Sequence, residues 1–229
     1  MIDPAIGTPV LVAWSGGKDC LMALERLRAD PQWRVTGLLT TLDRASDRVA
    51  MHETRGSVLR AQADALDLPL IESVLDWPAD NATYTIALGH ALRAAQAREK
   101  RLRHIAFGDL FLADIRAWRE SLMADLGWQA IFPIWGEPTT ALARHFIDSN
   151  HRALLTCVDA TQIDPRFAGR AYDHDLLAEL PAAADACGEN GEFHTLVVDA
   201  PSFSTPLRIR RAGTAVRDGR FHNVDFALA

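Results

Sequence analysis

Cysteine is scarce in this chain: three in 229 residues, at positions 20, 157 and 187, with no C-x-x-C pair. An odd, widely spaced set excludes a disulfide framework and a four-cysteine zinc site. No apolar run approaches the roughly 20 residues needed to cross a bilayer. Residues 1–9, Met-Ile-Asp-Pro-Ala-Ile-Gly-Thr-Pro, lack the basic segment and apolar stretch of a secretory leader. The cytoplasm is therefore the expected compartment, with no membrane partner. Positive charge is also in short supply, 24 Lys and Arg against 30 Asp and Glu, for a net charge of -6. Proteins that grip tRNA or DNA through many phosphates need a basic surface, so the balance weighs against a nucleic-acid partner. The densest basic stretch, residues 98–103, reads as the solvated end of a helix, where cations complement the dipole. Low-complexity tracts, internal repeats and linker-like segments are missing too.

What is present is an alternation of short apolar runs and longer amphipathic segments, the pattern of βαβ units around a parallel sheet. Residues 9–14 (Pro-Val-Leu-Val-Ala-Trp) predict a first buried strand, and 20–28 a helix with Leu21, Leu24 and Leu27 at helical spacing. Further strands are predicted at 34–41, 69–74, 104–107 and 129–134, and further helices at 53–66, 82–100 and 116–126. Residues 42–51 read as a loop. After Trp135 the texture changes: helices at 139–149 and 174–180, and strands or turns at 153–158, 196–199, 207–211 and 214–226. The expected fold is α/β, a parallel five-stranded doubly wound sheet with a smaller C-terminal α+β domain. A boundary near residue 136 gives a nucleotide-binding domain at 1–135 and a substrate-binding domain at 136–229, packed around a cleft. Oligomeric state is not legible, and a homodimer stays open.

The sharpest local signal is Ser15-Gly16-Gly17-Lys18-Asp19-Cys20, between a predicted buried strand and a predicted helix. A helix N-terminus presents unpaired backbone N–H groups and partial positive charge, and so binds phosphate. Two glycines let the backbone turn tightly and approach a ligand closely. Ser15 offers a hydroxyl and Lys18 a full charge. The competing reading is a plain turn with Asp19 as helix cap. The spacing is not that of the Walker loop, which disfavours a kinase or GTPase.

Two other segments carry chemistry. Gly108-Asp109 follows the fourth predicted strand, at the sheet edge where open α/β folds bind ligands. A carboxylate at Asp109 could hold Mg²⁺ against phosphates, or Gly-Asp could be a turn and cap. Cys187-Gly-Glu-Asn-Gly-Glu-Phe-His-Thr195 packs two glutamates, an imidazole and a hydroxyl into nine residues. It could surround a small polar substrate, or be a glycine-rich hairpin facing water. His52, just before the second helix, touches substrate or simply caps and packs.

The hexapeptide resembles the SGGxDS loop of PP-loop ATP pyrophosphatases, in the adenine nucleotide alpha hydrolase-like superfamily, with Cys20 in place of the final serine. A thiol is a weaker donor than a hydroxyl, which leaves Cys20 its backbone N–H. The resemblance implies that Ser15, Gly16, Gly17, Lys18, Asp19 and Cys20 hold the pyrophosphate end of ATP, with Leu39 and Thr40 near adenine and ribose, and Gly108 and Asp109 completing the cofactor set. Gly188-Glu-Asn-Gly-Glu-Phe-His-Thr195 looks like the GE-x-GE-[FY]-x-T motif of the diphthine–ammonia ligase-like branch. Matching stretches at 107–116, 132–135 and 199–203 extend the similarity over about residues 9–205, and residues 111–120 look more like bacterial members than the eukaryotic enzyme. The family enzyme adenylates a carboxylate of diphthine on elongation factor 2, and ammonia displaces AMP. By analogy Glu189, Asn190, Gly191, Glu192, His194 and Thr195 line the acceptor site, and Lys18, Asp19, Glu189 and Glu192 are the catalytic candidates. The implied ligands are ATP, Mg²⁺, ammonia and an unidentified carboxylate- or amide-bearing acceptor. Because a bacterium makes no diphthamide, the chemistry transfers better than the substrate. Two alternatives remain open: a tRNA-modifying PP-loop enzyme and a nucleotide-binding sensor.

Overall fold

The structure, a computed structural model, describes residues 7–49 and 53–229. Ten strands and six α-helices are found among them. His52 lies outside the described residues.

Short runs of buried aliphatics form the centre. β1 (Thr8–Ala13) is flanked by β2 (Trp33–Asp43) and β5 (His104–Ala106), both parallel to it. β4 (Leu70–Leu75) pairs with β2, and β6 (Gln129–Ile131) with β5, again parallel. The five parallel strands thus run β4-β2-β1-β5-β6, with the two-residue β3 (Arg48–Val49) antiparallel to the far end of β2. Strand order reverses at β1, so the loops after β1 and β5 open side by side at the carboxyl edge, where such sheets bind ligands. The helices are α1 (Lys18–Ala29), α2 (Gly56–Ala65), α3 (Asn81–Arg98) and α4 (Ala113–Asp125).

Beyond Gly136 come α5 (Thr139–Asp148), β7 (Arg152–Asp159), α6 (His174–Glu179), β8 (Phe193–Asp199), β9 (Ile209–Arg217) and β10 (Phe221–Leu228). The strands form an antiparallel sheet, β8-β7-β10-β9. Sequence and structure part at three places. The segment expected to be all loop contains β3. The second helix starts at Gly56 because Glu53, at φ 57°, turns the chain first. The run 214–226 is split by Asp218-Gly219, both at positive φ, the backbone that a tight hairpin turn demands.

A single apolar cluster joins both halves: Val10, Leu21 and Leu24 pack with Leu142, Phe146, Leu155, Phe193 and Val197. A second one, with Leu11, Leu88, Leu92, Ile105 and Met123, lies between the parallel sheet and helices α3 and α4. A polar latch crosses the same interface. Fully buried Gln62 accepts from the Trp14 indole at 2.9 Å and donates to the carbonyls of Gly16 (3.0 Å) and Val197 (2.7 Å). The Val197 N–H donates to Gly16 as well, at 2.9 Å. Buried amide groups must be paired, and Gln62 meets this need while tying the β1 loop to β8.

Candidate functional site

The glycine-rich turn after β1 is fixed by its neighbours. Gly16 has φ +85°, and a Cβ there would lie 2.7 Å from Leu59 and 2.9 Å from Gln62. α1 begins at Lys18, with Gly17 at the cap position and no side chain capping it. The Gly17 N–H donates weakly to Ser15 Oγ (3.4 Å), and the Lys18 N–H to Thr195 Oγ1 (3.1 Å). The Cys20 thiol donates to the Gly17 carbonyl at 3.0 Å, and burial pushes its pKa up, so it stays a neutral thiol.

The β5 loop leans directly on this turn. A Cβ on Gly108 would stand 2.7, 2.8 and 2.9 Å from the backbone C and O of Asp19 and N of Cys20. Asp109 follows, its Oδ2 2.8 Å from Nε of Arg119 on α4. The 188–195 segment closes the third side. Glu189 Oε1 accepts from the Leu110 N–H at 2.7 Å, joining this segment to the β5 loop as Thr195 joins it to the β1 loop.

The three loops enclose a cavity of about 670 Å³. Of the residues singled out from the sequence, Ser15, Gly17, Lys18, Asp19, Cys20, Leu39, Thr40, Gly108, Asp109, Glu189, Asn190, Gly191, His194 and Thr195 all line it. Gly16 and Glu192 stand outside the lining. Gly16 turns its carbonyl to Gln62 and Val197. Glu192, 2% exposed, accepts from the Asp185 N–H (2.8 Å) and the Asn190 amide (3.0 Å), bracing the loop from within. Lys18 is placed unexpectedly. Its side chain, 2% exposed, turns toward the C-terminal half, with Nζ 2.9 Å from Asp19 Oδ2 and donating to the Cys187 carbonyl. The Tyr172 and Phe193 rings lie 5.6 and 5.5 Å from it. A desolvated ammonium needs partners, and these are the ones available.

Electrostatics separate the titratable groups. Burial alone would lower the Lys18 pKa, but the Asp19 charge beside it outweighs that and holds it above its ordinary value. Burial raises the Glu189 carboxyl to about 7 against the pull of the Leu110 N–H, with Asp19 and Asp109 adding to the rise. Burial and the Lys18 charge lower His194 to about 4, leaving a neutral imidazole at pH 7. A carboxyl poised near neutrality can take and return a proton. Its stability consequence has a definite sign. The folded pKa of Glu189 lies above the ordinary value, so its contribution is complete below about pH 4.5 and lost as pH rises through about 7. Glu189→Gln should therefore gain on the wild type between pH 5 and pH 8, by roughly 1 kcal/mol once partial solvent exposure is discounted. Urea midpoints at the two pH values measure it; an equal difference at both would contradict it.

Some lining residues escaped the sequence reading: Trp77, Tyr84, Trp118 and Arg119. Trp77 and Trp118 are 48% and 42% exposed, an aromatic rim at the mouth. Arg119 had a signal, since it lies one turn from the apolar pair Leu122 and Met123 on the same helix. Thr40, 2% exposed, keeps a buried hydroxyl without a hydrogen-bond partner in the lining. No helix among the described residues is long and apolar enough to cross a membrane.

The architecture is a cavity at the switch point of a parallel sheet, lined by a glycine turn feeding a helix N-terminus and by a carboxylate-bearing loop. Residues 138–222 match the diphthamide synthase C-terminal domain family. The chain is similar to the human diphthine–ammonia ligase, 27% identical over 217 residues, covering 84% of this chain and 79% of the relative. Both matches support a diphthine–ammonia ligase-like family for this chain.

Proposed function

We propose that the protein is an ATP-dependent ligase that forms AMP and pyrophosphate, adenylating a carboxylate or amide oxygen and letting ammonia or an amine displace AMP. The relative is by name an ammonia ligase. The observation that carries the reading is convergence: the β1 loop, the β5 loop and the 188–195 segment line one cavity and hydrogen-bond to one another through Lys18–Thr195 and Leu110–Glu189. In this reading residues 1–135 hold the nucleotide and 136–229 supply the acceptor side.

A carboxylate resists amines because its leaving group would be oxide. In the first step an acceptor oxygen attacks the α-phosphorus, the bond to pyrophosphate breaks, and a mixed anhydride forms. In the second the amine attacks the acyl carbon, AMP departs, and the surplus amine proton goes to a base. Glu189, held by Leu110 and titrating near neutrality, is that base. The N-terminus of α1 faces the phosphates with its backbone amides, and the Lys18 charge acts on them from behind the turn. Asp109 would hold a divalent cation through its Oδ2 once that oxygen, 2.8 Å from Arg119 Nε, is freed from the guanidinium, since Mg²⁺ takes few protein oxygens beside phosphate and water. Mg²⁺ bound there would neutralise phosphate charge.

Incubating the protein with ATP, ammonium and fractionated small molecules or proteins should release AMP and pyrophosphate in equal amounts, dependent on acceptor. Release of ADP and phosphate would contradict the reaction class. Binding of ATP with no turnover in any fraction would favour a sensor.

A further inference from the structure

The cavity holds few positive charges for a site that should receive a nucleotide. Lys18 and Arg119 are the only cationic side chains among the described residues lining it, against the carboxyls of Asp19, Asp109 and Glu189. Lys18 is fully engaged, its ammonium shared between Asp19 and the Cys187 carbonyl. That leaves Arg119, whose pairing is of another kind. Its Nε lies 2.8 Å from Asp109 Oδ2, yet both atoms are buried and neither makes a hydrogen bond. The two charges meet without the directional bond that such a pair normally forms.

Packing fixes where the guanidinium sits. Its centre lies 4.4 Å from the Phe107 ring and 6.0 Å from Trp118, so the plane is held by aromatic faces. Asp109 adjoins Gly108, which abuts the first turn of α1. The guanidinium is thus tied through Asp109 to the loop that abuts the first turn of α1, the helix end that attracts anions.

We propose that Arg119 is a nucleotide-binding residue that grips the phosphate chain, and that Asp109 is the internal partner that phosphate displaces from it. This rests on the reading above that the cavity takes a nucleotide, and adds a residue that neither the sequence motifs nor the family match singled out. A planar fork suits phosphate oxygens in a way a point charge does not. Exchanging Asp109 for phosphate also frees that carboxylate.

The test is equilibrium binding of ATP and of adenosine to the full-length chain by calorimetry, with folding checked by thermal melting. Arg119→Ala should weaken ATP at least about tenfold and leave adenosine within about twofold. Arg119→Lys, which keeps the charge and guards against misfolding of the alanine variant, should recover only part of the loss. Asp109→Asn in EDTA should tighten ATP, since a competing anion is gone and Arg119 is released. Equal losses for ATP and adenosine would make Arg119 a packing residue and overturn the proposal, as would unchanged ATP binding in both Arg119 variants. Weaker ATP binding by Asp109→Asn in EDTA would overturn the displaced-partner role. If the wild type binds no ATP, this proposal and the ligase reading fall together. If the Arg119 pattern is found but no AMP ever forms, only the ligase reading falls.

Discussion

Replacing Gly108 by alanine should cut AMP formation about a hundredfold while leaving a folded protein. The added methyl would stand 2.7 to 2.9 Å from three backbone atoms, the carbonyl carbon and oxygen of Asp19 and the nitrogen of Cys20. No rotamer change relieves a clash with main chain, so the β5 loop must move away from the first turn of α1. Overpacking of this sort costs about 1–3 kcal/mol. The larger effect is on geometry. The same displacement shifts Asp109, and through the Leu110 N–H it shifts Glu189, so the proposed phosphate and acceptor sides lose register together. Gly213→Ala is the control, because that glycine has open space around its Cβ position and lies in exposed β9. Comparing pyrophosphate release by the two variants checks this. Equal activities would mean that the contact between the β1 and β5 loops does not organise the site.

That contact also marks how far the sequence could be read. The parallel strands were legible because a strand buried on both faces is a plain apolar run, as in Val10-Leu11-Val12. The tight turn after β1 was legible because glycine pairs between a strand and a helix have a local physical meaning. β3 was not legible, since two residues carry no periodicity. The hairpin at Asp218-Gly219 had a turn signal, yet the exposed flanking strands lacked the alternation that makes such signals convincing. In the cavity the segments singled out from the sequence come together, while the side-chain directions were not legible. Glu192 resembles Glu189 in sequence, but one braces its own loop and the other faces the cavity. Arg119 was passed over although the apolar pair one turn further on, Leu122 and Met123, marked its face of the helix as inward. For Glu189 the deciding partner, Leu110, is distant in the chain, whereas Glu192 and Arg119 are held by near neighbours through loop and helix geometry that a hydrophobic pattern does not show.

Lys18 is the sharpest instance, and Lys18→Met should be among the most damaging single changes in the protein. From the sequence, Lys18 is expected to help hold the pyrophosphate end of ATP. The structure gives it a second task. The ammonium is buried between Asp19, the Cys187 carbonyl and two aromatic rings, bridging the N-terminus of α1 to a segment 169 residues away. Methionine keeps the volume of the stem, so the loss is electrostatic rather than a cavity. It strands a half-buried carboxylate and a carbonyl, so the cost falls below the about 3–5 kcal/mol of a fully buried pair. Turnover should fall as well, because the 188–195 segment loses its tie to the N-terminus of α1. Adding Asp19→Asn should restore part of the stability, since no uncompensated charge then remains, without restoring AMP formation. Urea unfolding of the three variants decides it. If the double variant is no more stable than Lys18→Met, Asp19 was not the partner that kept this lysine in the interior.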